Sequence, residues 1–158
     1  MPHSRYHWAS QIKGSEREYR AVRVGVDWLL EEHTDEIDAL IEAREWDNKA
    51  ALDLNAADRN LDATYLIRMF LIFERAVSSY WRSLKESAGR AVKGDILLKE
   101  VGIECKILAD VTRNAQEVRI HRNNLVHDRI VDHAAIWAFQ DARRDLLTYL
   151  SKLPDEWG

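Results

Sequence analysis

Within the stretch HRNNLVHDR, residues 121–129, three side chains have the types and spacing to do chemistry. Arg122 supplies a guanidinium that stays charged and can grip a phosphoryl group with two parallel hydrogen bonds. His127 carries an imidazole, which can take up and return a proton near neutrality. Asn123 lies four residues before His127, so on a helix the two are neighbours and the carboxamide can orient either partner. Stabilising charge on a phosphoryl oxygen while moving a proton is the requirement of phosphodiester chemistry. The competing reading is a buried polar network that fixes how helices pack.

The position of Arg122 sharpens the choice. Winding the surrounding residues at about 100° each places Leu108, Val111, Ala115, Val118, Leu125 and Val126 in one apolar stripe, with Arg122 at its centre. A guanidinium there must be paired, or the stripe must open onto a cleft or a second subunit, because an unpartnered buried charge is costly. Such local breaches of patterning are where functional sites tend to fall. Arg113, Arg119, Arg122 and Arg129 lie within 17 positions, interleaved with His121 and His127, which reads either as a solvated helix face or as a local basic patch.

The elements that must position these residues are helices. A periodic segment from about residue 15 to residue 45 carries Val22, Val26, Leu29, Leu30, Ile37, Leu40 and Ile41 on one face, with His33 among them. DNKAALDLNAADRN interrupts the pattern and offers Asn55 or Asp58 as a helix N-cap. A second helix over residues 57–87 has the strongest amphipathic signal, with Leu66, Met69, Phe70, Phe73, Val77, Tyr80 and Leu84 at spacings of three and four. SAGRAVKG reads as a loop, followed by a short helix, ILLKEV, with Asp95 as its cap and Gly102 as its end. A third long helix is expected over residues 103–128, and a fourth from an N-cap at Asp132 to Pro154. Nothing alternates with the period of two that strands need, so the fold class is all-α: a four-helix bundle with a short extra helix between the second and third.

Composition agrees. Both prolines sit near the chain ends, at Pro2 and Pro154, so the interior is free of the strongest helix breaker. The 158 residues suffice for one domain with its own core, over residues 1–158, in which residues 1–14 are expected to be a loosely ordered extension. A formal charge of −4 argues against a protein that grips duplex nucleic acid by general basicity, so any nucleic-acid site must be local. No apolar run approaches the roughly 18 residues of a membrane span, and MPHSRYHWASQIKG lacks the apolar core of a signal peptide. Cys105 is the only cysteine, so no internal disulfide is possible, and a reducing cytoplasm is the expected compartment. His121, His127 and His133 are spaced by six, which does not place a metal-binding pair on one helical face; no metal and no cofactor is expected. Six tryptophans exceed the needs of one small core and suggest an interface.

RNNLVH, Arg122 to His127, resembles the RNxxxH form of the Arg-x4–6-His signature of the HEPN superfamily, and it falls in the third long helix, where that family carries it. The resemblance in layout extends from about residue 20 to the YLSKLPDEW terminus. It implies a metal-independent endoribonuclease in which the RNA 2′-hydroxyl attacks the adjacent phosphate, leaving a 2′,3′-cyclic phosphate and a 5′-hydroxyl. His127 would be the general acid or base, Arg122 would stabilise the phosphate, and Asn123 would hold one of them. Glu74, on the second helix, would support the motif arginine, while Arg119, His121 and Arg129 would contact RNA. The resemblance also implies a homodimer with two motifs facing one cleft, and a toxin or defence effector restrained by an antitoxin or other regulatory protein. Some such toxins carry a modifiable tyrosine two residues after the histidine; Arg129 stands there, so that mode of control is not implied. The alternative within the family is a non-catalytic module for dimerisation or for binding RNA or nucleotide.

Overall fold

The computed structural model describes residues 3–32, 39, 42, 50–84, 93–127 and 139–157. Among these the chain is all-α apart from one minimal pairing of its ends. The elements in order are β1 (His3–Ser4), α1 (Arg5–Glu32), α2 (Ala50–Leu84), α3 (Gly94–Glu104), α4 (Ala109–Val126), α5 (Phe139–Leu150) and β2 (Glu156–Trp157). No helix among the described residues is long and apolar enough to cross a membrane.

Helix α2 is 35 residues long, about 52 Å at 1.5 Å per residue, and it packs against each of the other four helices. Leu66, Met69, Phe70, Phe73, Ala76, Val77 and Tyr80 recur at the spacings predicted for its apolar face, and all are buried. Phe73 meets Tyr149 of α5 edge to face, with ring centroids 5.5 Å apart. The Tyr149 hydroxyl, also buried, donates to the Leu98 carbonyl of α3 at 2.7 Å, so one side chain ties three helices together.

α2 begins at Ala50, seven residues before the expected start and inside the segment read as a spacer. That segment contains neither glycine nor proline, and Asp58 is occupied in a way the sequence pattern does not show. Rather than capping a helix, it receives the Arg23 guanidinium of α1 at 2.6 Å, which Arg23 shares with Asp27. One turn later the Tyr19 hydroxyl donates to Asp62 at 2.8 Å. Burial and the neighbouring carboxylate push Tyr19 up to about 12, which keeps it a donor throughout the physiological range.

The N-terminal expectation is corrected. Residues 5–14 are helical, and Ile12 is fully buried. His3 pairs with Trp157 and Ser4 with Glu156 in an antiparallel ribbon. Arg5 donates to the Ser151 and Leu153 carbonyls just past α5 and forms an ion pair with Asp155, a cation placed where a helix C-terminus favours one. Trp157 is buried against Tyr80, and its indole N–H donates to Ser79 at 3.1 Å. Farther along α1, Glu16 is buried between Arg20 and Arg143 of α5, each 2.7 Å away. Val22, expected on the buried face, is 41% exposed, because α1 presents Ile12, Ser15, Glu16 and Val26 instead.

The short helix and the third long helix are separated by a real break, so residues 103–128 are not one helix. α3 runs through Gly102 to Glu104, with no side-chain cap from Asp95. It ends in a Schellman arrangement: the Ile107 N–H donates to the Gly102 carbonyl, and the Lys106 N–H to the Ile103 carbonyl. Lys106 takes the left-handed conformation, φ 53°, that glycine usually occupies at this position. Gly102 is needed for a different reason. A Cβ there would lie 2.9 Å from the Thr112 Oγ1 of α4, so its absence lets the first turn of α4 cross α3 closely. Leu108, expected in the apolar stripe, is 66% exposed at the N-cap of α4. The expected cap Asp132 and Ile136 of the last helix lie outside the described residues.

Gly102→Ala should therefore lower stability by about 1 kcal/mol, overpacking outweighing the better helix propensity of alanine. Combining it with Thr112→Ala should turn that loss into a gain. Chemical denaturation of the two single variants and the double variant measures the coupling, and simple additivity would show that the contact is not strained.

Candidate functional site

Helix α4 carries the motif, and its register answers the question raised by Arg122. Ala115 and Val118 are fully buried, and the next turn brings both His121 and Arg122 toward the core. His121 is 8% exposed, whereas Arg122 is half-buried. The Arg122 guanidinium carbon lies 5.8 Å from the centre of the Phe70 ring on α2, within the range of a cation–π contact. One terminal nitrogen donates to the Asn123 carboxamide oxygen at 3.0 Å. Among the described residues the Nε, shut off from solvent, has no hydrogen-bond partner, and no carboxylate pairs with Arg122.

Asn123 stands between the other two members of the motif. Its side chain accepts from Arg122, and its backbone carbonyl accepts the His127 N–H at 3.1 Å. His127 is the C-cap residue of α4 and is exposed. A separation of five residues places Arg122 and His127 about 140° apart around the helix and about 7.5 Å apart along it. The guanidinium thus faces the α2 side while the imidazole stands open to solvent at the helix end.

The remaining expected residues divide differently. Glu74 does not support Arg122. Its Oε1 lies 3.2 Å from the point where a Cβ on Gly94 would stand, and the Cδ of Arg119 lies 3.5 Å from that same point. Glu74 and Arg119 therefore both approach Gly94, the first residue of α3, and Arg119 lies three residues before Arg122 on α4. Arg119 is held by Gln116, which accepts from its Nε at 2.8 Å and itself donates to the Asp95 carbonyl. His121, expected among the RNA-contacting residues, is buried instead and faces the core. Arg129 lies outside the described residues. No three histidine, cysteine, aspartate or glutamate side chains among the described residues converge so as to hold a metal ion. Cys105, at the C-cap of α3, donates to the Tyr80 hydroxyl at 3.3 Å, and burial pushes its thiol up, away from the reactive thiolate.

Sequence reasoning missed a second feature. A groove of about 410 Å³ runs along α2, lined by Trp8, Leu71, Glu74, Arg75, Ser78, Ser79 and Arg82. Arg75 and Arg82 stand seven residues apart on the polar side of the helix, with two serines between them. That spacing is visible in the sequence; the indole of α1 that walls the groove is not.

Burial lowers the pKa of His121 from the ordinary imidazole value of 6.5. The unfolded chain then binds a proton that the folded chain refuses, so this contribution to stability is complete above about pH 6.5 and falls as pH drops toward the lowered value. Between pH 7.5 and 5.5 the native protein should lose more stability than His121→Leu, by at most about 1.4 kcal/mol per pH unit. Urea midpoints at the two pH values test this, and parallel losses would mean that folding leaves the proton affinity of His121 unchanged. No protein-family model, curated protein or solved structure matches the chain.

Proposed function

We propose that this chain is a metal-independent endoribonuclease of the HEPN type, acting as a homodimer. The observation that carries the proposal is a guanidinium unpaired among the described residues, Arg122, fixed by Phe70 and Asn123 on the helix that ends at a solvent-open imidazole, His127. In the reaction the 2′-hydroxyl oxygen attacks the adjacent phosphorus, and the bond to the 5′-oxygen of the next nucleotide breaks. His127 moves the proton, either from the nucleophile or to the leaving group. Arg122 stabilises the charge that gathers on the phosphoryl oxygens, and Asn123 sets its orientation. The 140° divergence of Arg122 and His127 on one helix favours a cleft completed by a second copy, which would bring two motifs to one strand. On this reading the four longer helices form a HEPN-like bundle. The protein serves as a toxin or defence effector in the cytoplasm, held in check by an antitoxin or other regulatory partner.

The test is cleavage of a mixed RNA pool in excess EDTA by the native protein, Arg122→Ala, Asn123→Ala and His127→Ala. Native protein should leave 2′,3′-cyclic phosphate ends, and the Arg122 and His127 variants should fall by about 100-fold or more while their thermal melts stay cooperative. Asn123→Ala should retain partial activity. RNA binding without cleavage by the native protein would instead mark a non-catalytic module, and cleavage that survives in His127→Ala would remove the assigned role of that residue.

A further inference from the structure

We propose that the α2 groove lined by Trp8, Arg75, Ser78, Ser79 and Arg82 is a binding site for the backbone of single-stranded RNA, through which a strand is led to Arg119 and Arg122. The inference rests on the ribonuclease reading for the identity of the strand, but its evidence lies elsewhere in the molecule.

The first observation is the state of the two arginines. Arg5, Arg20, Arg23, Arg68, Arg143 and Arg144 each hold a carboxylate, in keeping with the acidic balance of the chain. Arg75 and Arg82 are exposed and make no ion pair or hydrogen bond among the described residues, yet both line one groove. Seven residues on a helix set them about 10.5 Å apart along the axis, on nearly the same side. Two free guanidiniums so placed can each take a phosphate of one strand.

The second observation is the pair of hydroxyls between them. Helical serines commonly bond back to a carbonyl of the preceding turn, as Ser83 does to Tyr80 at 2.8 Å. Ser78 and Ser79 make no such bond. Ser79 accepts from the Trp157 indole, which leaves its own proton free to be given away. The groove thus presents two cations and two uncommitted hydroxyl donors. The indole of Trp8 and the side chain of Leu71 form apolar walls suited to a base or a ribose.

Direction comes from Glu74, the single carboxylate in the lining. It also approaches Gly94, as Arg119 does, one turn of α4 before Arg122. A carboxylate repels phosphate but accepts a ribose 2′-hydroxyl, a donor that RNA has and DNA lacks. The order along the surface is therefore Arg82, Arg75, Glu74, Arg119, Arg122.

The experiment uses the full chain carrying His127→Ala, so that RNA survives the measurement. Fluorescence anisotropy of a labelled 12-nucleotide RNA is followed at several salt concentrations. Adding Arg75→Gln and Arg82→Gln together should weaken binding about tenfold or more and reduce the salt slope by about 1.4, the value for two lost single-strand phosphate contacts. Arg59→Gln, an exposed arginine earlier on α2, should leave binding within about twofold, since it adds only diffuse charge. Glu74→Gln should narrow the preference for RNA over DNA of the same sequence. If the groove double variant binds like its parent, the groove is not the strand site and the catalytic reading stands. If the parent binds no RNA, or binds anionic vesicles in preference to RNA, the inference is overturned. If the native chain fails to cleave but the groove variants lose affinity, the ribonuclease reading falls and the groove remains.

Discussion

One long apolar face organises this molecule. From Leu66 to Tyr80, α2 presents a continuous row of apolar side chains that several partners share in covering. α1 covers one flank, α3 and α4 another, and α5 closes the remaining side through Phe139, Leu146, Tyr149 and Leu150. Burying a residue the size of Phe73 contributes about 1.5–3 kcal/mol, more than a half-exposed ion pair such as Arg23–Asp58, which contributes at most about 1 kcal/mol. The apolar face therefore decides that the helices gather around α2. The polar contacts, Tyr19–Asp62 and Tyr149–Leu98 among them, decide where along it each helix comes to rest.

The apolar spacing on α2 is legible from the sequence because it depends on that helix alone. Boundaries are less so, because they are settled by partners. Nothing in DNKAALDLNAADRN announces that Asp58 will receive Arg23, and without that pairing the segment reads as a spacer. The break between α3 and α4 is hidden for another reason. A lysine in a left-handed conformation leaves no compositional trace, and Gly102, which looks like a helix terminator, serves a close helix crossing three residues before the chain turns. At the N-terminus the hydrophobic spacing of Trp8 and Ile12 was available, but its significance depends on α2 and on the returning C-terminal segment.

At the candidate site, the anomaly was legible and its resolution was not. Arg122 stands out against an otherwise apolar stripe, but its contact with Phe70 crosses between helices and cannot be counted off along one chain. The same holds for Glu74, which approaches Gly94 of α3. Helix α4 is turned so that His121 and Arg122 share the inward side, where their roles differ by depth: the imidazole is enclosed and the guanidinium only partly so. The Arg122 guanidinium is thus a planar cation placed over a ring of α2 and fixed by the neighbouring Asn123 carboxamide of its own helix.

The ribbon of His3–Ser4 with Glu156–Trp157 brings the first and last described elements side by side. α1 and α5, far apart along the chain, are thereby fastened to one another at one end of the bundle. Trp157 carries the same fastening onto α2 through Tyr80 and Ser79. Fraying of either terminal segment would therefore release the other, and with it the indole that seals this end of the core.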